Sequence, residues 1–293
     1  MAGEGRPRRR PQRARVSPEA LAAAHGSARE GLEWLGREPE TRASLLYRAL
    51  RLVARALFFG VFRFRIAASG RENVPAGGFL LVGATHRGWM DPFLVLHALP
   101  PEPRAWFLGS AATAFGSRWR ERLLHRLGGM LPVWRGGVGV EQHVASARAV
   151  IGNGGVFVVF PEGGILGPPE RISTFRVGAA LIALRTAAPV VPFVMVGSKE
   201  LYLGRRMASR ILPPTSARQL LGDDWDGRLP LPGTRDELEL ARRLTTRFEG
   251  LLRPEVEALY PPTVDPPGRP RRLRILTWFL LRRTARDGDA DEE

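Results

Sequence analysis

The chain has 293 residues, 44% of them hydrophobic, and 44 basic side chains against 29 acidic ones give a formal net charge of +15. That length suits one sizeable α/β domain with extensions, and the charge draws it to anionic surfaces: acidic lipid, nucleic acid or phosphorylated small molecules. No cysteine is present, which excludes disulfides, thiolate catalysis and cysteine-based metal sites.

Lys199 is the sole lysine. Every other basic residue is arginine, a bias that fits a GC-rich genome better than forty separate chemical needs. Residues 1–16 hold six arginines and one acid, and such an Arg- and Pro-rich stretch is expected to be disordered. No apolar leader follows it, so a secretory signal is not expected. A short helix is predicted within 17–40, starting after Ser17 with Pro18 in its first turn. No stretch reaches the roughly 20 apolar residues of a spanning helix.

Residues 41–65 read as an amphipathic helix. Arg48, Arg51 and Arg55 form one stripe; Leu45, Leu46, Leu52, Val53, Ala56 and Leu57 cover most of the remainder. Phe58, Phe59, Val61 and Phe62 follow, and Arg63 and Arg65 end the segment. Two readings stay open: packing on the domain, or lying in the headgroup layer of a membrane.

Strands and helices then alternate. Strands are predicted at Phe79–Ala84, Trp106–Leu108, Met130–Trp134, Val156–Phe160 and Val190–Val196. Helices are predicted at Asp91–Leu99, Ser117–Leu127, Val138–Ile151 and Thr174–Arg185. This pattern predicts an α/β fold with a mostly parallel or mixed sheet, spanning about 70–200 and flanked by helices. Residues 201–235 read as loops, and Asp236–Leu259 as a helix with acids at its start. A Pro-rich linker at 261–270 leads to Arg271–Arg283, a basic amphipathic segment that docks on the domain or lies on anionic lipid. The last seven residues carry five acids. The expected organisation is a basic extension (1–40), an amphipathic helix (41–68), a catalytic domain (69–260) and a linker with basic segment and acidic tail (261–293).

Three clusters sit where chemistry is expected. His86 directly follows the Phe79–Ala84 strand, where α/β folds place ligands. Asp91 before Pro92 reads as a helix N-cap. His86 and Asp91 would then share a loop, where they can meet; five apart on a continuous helix, they would diverge by about 140°. An aspartate against one ring nitrogen leaves the other free to take a proton from a hydroxyl. Glu162, in Phe160-Pro161-Glu162-Gly163-Gly164, lies on a turn ending a second strand. Arg135 ends a third, before two glycines and a helix, a plausible phosphate seat. No His, Asp or Glu cluster has metal-ligand spacing, so no metal is expected. His25, His97, His125 and His143 have no carboxylate partner in sequence and read as structural.

Taken in order, His86 and Asp91 with four residues between them, Arg135 after Gly129-x-x-Pro132-Val133, Phe160-Pro161-Glu162-Gly163 and Val191-Pro192 resemble the four blocks of the glycerolipid acyltransferases. The resemblance spans about residues 70–200. It implies that His86, oriented by Asp91, deprotonates an acceptor hydroxyl. The oxygen then attacks the thioester of acyl-CoA or an acyl carrier protein, with no acyl-enzyme and no permanently bound cofactor. Base catalysis of this kind is worth about 10²–10⁴-fold. Arg135 would hold the acceptor phosphate, Glu162 and Gly163 would shape the acceptor site, and Pro192 would lie near the acyl-chain pocket.

Two positions depart from the family's pattern. Thr85 stands where Asn or Ser is usual. Gly164-Ile165 stand where Thr-Arg is usual, an arginine that grips phosphate. Arg171 and Arg176 are the candidates to replace it, and Phe175, Arg176 and Gly178 resemble the family's downstream pattern. The acceptor therefore stays open between a lysophosphatidic acid-like lipid or glycerol phosphate and another lipid hydroxyl. The expected location is the cytoplasmic face of a membrane, peripheral or monotopic, against anionic lipid. Two rivals are a non-catalytic lipid-binding member of the family and a basic nucleic-acid-binding protein. No nucleic-acid motif is present, and no nucleic-acid partner is expected.

Overall fold

The computed structural model describes residues 42–110, 129–133, 140–165 and 167–277. The disorder expected at 1–16, the helices expected in 17–40 and 117–127, Arg135 and residues 278–293 lie outside the described residues.

The centre is a seven-stranded sheet. Its strands in chain order are β1 (Arg65–Ser69), β2 (Phe79–Ala84), β3 (Ala105–Ser110), β4 (Met130–Val133), β5 (Val156–Val159), β6 (Val190–Val196) and β7 (Arg206–Ile211). In space they run β1-β7-β6-β2-β5-β3-β4. Every neighbouring pair is parallel except β6–β7, which is antiparallel. The sheet is therefore mixed and helix-flanked, as the sequence predicts.

β2 lies between β5 and β6, and all six of its residues are buried. A strand covered on both faces needs an apolar run rather than alternation, and FLLVGA supplies it. Leu80, Val82, Phe157, Val190 and Val194 face one core with α3 (Val140–Gly152), α4 (Gly178–Thr186) and α6 (Arg235–Leu259). Phe79, Leu81, Val158, Val191 and Phe193 face a second core with α2 (Asp91–Ala98) and the buried rings of Phe58 and Phe64. The first layer is clamped by Arg185 of α4, whose Nε and Nη2 donate to the two Glu237 oxygens of α6 at 2.6 and 2.7 Å. Thr234 caps α6 through the Glu237 amide.

The boundaries differ from expectation in four places. β1 begins at Arg65, inside the segment expected as helix, and β7 crosses a stretch expected as loop. Their sequences, RIAAS and RMASRI, carry exposed or half-buried arginines and small residues, so neither shows the apolar run of a central strand. Residues 217–221 of that same stretch form the short helix α5 (Ala217–Leu221). α4 starts at Gly178, four residues late; in the stretch before it the amides of Phe175 and Arg176 donate to Glu249 and the Pro161 carbonyl. The N-cap of α2 is Met90, not Asp91. The Asp91 carboxylate turns back onto the preceding loop instead of capping the helix.

The amphipathic segment is α1 (Leu45–Arg55), continued by a wider helical turn to Val61. Its arginine edge, not its apolar face, meets the domain. Arg51 donates to the carbonyls of Leu96, Leu99 and Pro100 at the end of α2, and Arg48 donates to Glu102. A guanidinium there satisfies orphan carbonyls and complements the helix dipole. Tyr47 is the one buried residue of α1, while Leu45, Leu46, Leu52 and Val53 are 62–87% exposed. At the other end of the chain, residues 271–277 dock: Trp89 Nε1 donates to the Leu276 carbonyl, the Leu201 amide donates to Thr277, and Arg271 and Arg274 pair with Glu200. No described helix is long and apolar enough to cross a membrane.

Candidate active site

The carboxyl ends of β2 and β5 are adjacent, with Val82 opposite Val159. The chain leaving β2 carries Thr85, His86 and Arg87, and the chain leaving β5 carries Phe160 and Glu162. Register therefore brings the two sequence clusters together. Thr85 fixes the exit: it is fully buried, and both its amide and its hydroxyl donate to the Met195 carbonyl on β6.

His86 Nδ1 lies 2.8 Å from Asp91 Oδ2. The same oxygen accepts the backbone amides of Arg87 at 2.6 Å and Gly88 at 2.8 Å. Asp91 is fully buried, whereas 17% of the His86 side chain reaches solvent. A carboxylate acceptor on Nδ1 selects the tautomer with the proton there, which leaves the Nε2 lone pair free. The other constraint on the ring is Phe160: the two rings stack with centroids 4.4 Å apart and planes at 13°. Gly83 makes room for that ring, since a Cβ there would lie 2.8 Å from Phe160 Cε1. Gly88 similarly lets the loop pass the Ser198 carbonyl, which a Cβ would meet at 2.7 Å.

Glu162 is buried and paired with Arg87. Burial pushes its carboxyl up, against the Arg87 guanidinium and the amides of Ser173 and His86, which hold it down. The acid is spent inside the protein, on the Arg87 guanidinium and the Ser173 amide. Gly163 has the left-handed φ of +70°, and a Cβ there would lie 2.7 Å from Arg176 Nε. The exposed Arg176 side chain thus lies over Gly163 at the rim. Arg171 differs: its carbonyl accepts from Arg87 at 2.6 Å, while the residue itself is exposed. Lys199 Nζ donates to the Gly167 carbonyl on the same rim. Pro192 is buried in β6 opposite Val82.

His86, Asp91, Glu162, Gly163 and Arg176 therefore converge, Arg171 borders them, and Arg135 is outside the described residues. Two contributors carry little mark in the sequence as side chains: Arg87 and the Phe160 ring. Phe160 sits in the quoted cluster, but nothing local marks its ring as a platform. Arg87 was hidden by the abundance of arginine, though a basic residue beside the histidine was a usable signal. Among the described residues no group of three or more potential ligands is placed to hold a metal. What the arrangement offers is an oriented imidazole with one open nitrogen beside a cationic rim.

Residues 65–196 match the family model described as Acyltransferase. Uncharacterized proteins from Mycobacterium tuberculosis and Mycobacterium bovis are 29% identical over 244 residues, covering 73% of this chain and 62% of their own length. The chain thus spans less than two thirds of those relatives. The fold is similar to the crystal structure of the 1-acyl-sn-glycerophosphate (LPA) acyltransferase PlsC from Thermotoga maritima, with a TM-score of 0.50, 18% identity, and coverage of 83% of this chain and 84% of that one. The match begins at β1, ends at β6 and contains the paired His86 and Asp91, so residues 65–196 are similar to the acyltransferase domains that this model describes.

Proposed function

We propose that the protein transfers a fatty acyl group from acyl-CoA or an acyl carrier protein to a hydroxyl of a lysophosphatidic acid-like glycerol phosphate lipid. The observation that carries this is the His86–Asp91 contact at the sheet's carboxyl edge, with Nε2 open. Nε2 takes the proton of the acceptor hydroxyl as its oxygen bonds to the thioester carbonyl carbon. Asp91 stabilises the imidazolium that forms. The carbon–sulfur bond then breaks, and the departing thiolate recovers the proton from Nε2. No group of the protein bonds to the acyl chain.

Arg176, lying over Gly163, supports a phosphate-bearing acceptor by charge-assisted hydrogen bonding. Arg135 fills the same role in this reading. Membrane attachment rests on α1: with its arginines turned into the domain, Leu45, Leu46, Leu52 and Val53 face outward, and Arg63 and Arg65 follow. An outward apolar face beside basic residues suits the headgroup layer of an anionic membrane. Acyl thioesters are cytoplasmic metabolites, so this reading places the protein on the cytoplasmic face, peripheral or monotopic.

The test is product analysis by mass spectrometry after incubating the protein with palmitoyl-CoA, or palmitoyl carrier protein, and a panel of lipid acceptors. A phosphatidic acid product from lysophosphatidic acid supports the reading. Acylation of a neutral lipid hydroxyl alone would make the Gly164-Ile165 departure a change of acceptor, and no acylation with either donor would contradict the reading.

A further inference from the structure

Arg87 follows the histidine directly, yet its side chain is turned away from solvent and is only 2% exposed. A buried guanidinium is costly unless every donor is used. Here they are used on three separate segments. Nη1 donates to Glu162 Oε2 on the loop after β5 and, at 2.9 Å, to the carbonyl of His86 itself. Nε donates to the Pro168 carbonyl at 2.9 Å, and Nη2 to the Arg171 carbonyl at 2.6 Å. Glu162 Oε1 in turn accepts the Ser173 amide at 3.3 Å. The backbone amide of Arg87 completes the set by donating to Asp91 Oδ2, the oxygen that holds His86.

We propose that Arg87 is a positioning residue: its fork on Glu162 and on the Pro168–Arg171 carbonyls holds the loop in which His86 meets Asp91. This rests on the acyl-transfer reading for its kinetic consequence only. Arg87 touches neither Nε2 nor the rim cations, so it acts through the backbone at both its ends. The same bonds hold the segment that leads to Arg176, which ties the base to the acceptor rim. Lysine cannot replace it, because one ammonium cannot reach carboxylate and carbonyls in three directions at fixed angles.

The test uses the full chain with R87K and the double variant R87M/E162M. The double variant removes both buried charges together, which a fold tolerates far better than losing one. Both are expected to remain folded, with kcat lowered about 10²-fold by misalignment and donor KM unchanged. A second readout needs no substrate. In ¹⁵N-histidine-labelled wild type, the Nδ1 proton of His86 gives a protected resonance, assigned by its absence in H86Q. That resonance is expected to be lost to solvent exchange in both variants. Wild-type kcat together with a retained Nδ1 proton in either variant overturns the proposal. So does failure of both to fold, which would assign the pair to stability alone. If wild type transfers no acyl group, the reaction reading fails while the Nδ1 resonance still decides the role of Arg87.

Discussion

The imidazole of His86 is held between two dissimilar partners, the Asp91 carboxylate at its Nδ1 edge and the flat Phe160 ring 4.4 Å away on its face. Asp91 alone leaves the ring free to rock about the hydrogen bond. Phe160 removes that freedom. An aromatic contact of about 0.5–1.5 kcal/mol that is complete only in the aligned ring corresponds to roughly two- to tenfold in rate. Phe160→Leu should therefore lower kcat by that factor while the protein stays folded. Gly83→Ala should act in the same direction, because its new Cβ would displace the Phe160 ring. Steady-state kinetics beside thermal unfolding checks both.

Asp91→Asn separates charge from geometry. Oδ2 accepts three donors, whereas the buried Oδ1 has no hydrogen-bond partner among the described residues. An asparagine can keep its oxygen in the Oδ2 place and put its NH₂ where Oδ1 was, so the loop survives at about 1–3 kcal/mol for the unpaired donor. The negative charge that steadies the imidazolium is gone. The rate should fall by about 10²–10⁴-fold, the usual worth of an oriented general base. A folded Asp91→Asn variant with near wild-type kcat would show that the carboxylate serves only to hold the loop.

How legible all this was depends on what each residue packs against. β2, β5 and β6 announce themselves as short apolar runs because both their faces are covered. His86 and Glu162 are each readable as residues at strand ends, but that the two ends are neighbours follows only from the β2–β5 pairing. β1 and β7 are not readable: a strand at or near the edge keeps arginines such as Arg65 and Arg206, and its pattern dissolves. The sense of α1 was also hidden. Its stripe of arginines looks like a solvated edge, yet Arg51 is drawn inward by three carbonyls that only tertiary structure places there. Asp91 before Pro92 looked like a cap because local rules ignore the two loop amides that claim its oxygen first.

α1 also gives a binding prediction. Leu46→Glu with Leu52→Glu places two acids on the outward face without touching Tyr47 or Arg51. Exposed substitutions of this kind usually move stability by less than about 0.5 kcal/mol. Sedimentation with phosphatidylglycerol vesicles should drop sharply while the unfolding midpoint holds. Unchanged sedimentation would mean that α1 is not the attachment surface.

His97 supplies a pH dependence of stability. Burial, then the nearby Arg55, Arg71 and Arg51 guanidiniums, lower its pKa from 6.5 to about 4, and the Phe59 ring lies 4.9 Å away. Above pH 6.5 the ring is neutral in both folded and unfolded chains, and no penalty arises. As pH falls below that value the unfolded chain takes up a proton that the folded chain refuses until about 4. Stability is therefore lost across that window, by about 1–3 kcal/mol in all for a partly buried group. His97→Gln should shed that loss. Urea unfolding at pH 7 and pH 5 should show the wild type losing more stability than the variant between the two, and equal losses would mean that His97 titrates normally.

The most direct test of the whole account compares wild type with His86→Gln in acyl transfer to the acceptor that the panel identifies. Glutamine keeps much of the shape and can still hydrogen-bond to Asp91, but it cannot take a proton. The account predicts a folded variant with kcat lower by at least about 10²-fold. A folded His86→Gln enzyme that turns over at the wild-type rate would place the base elsewhere and contradict it.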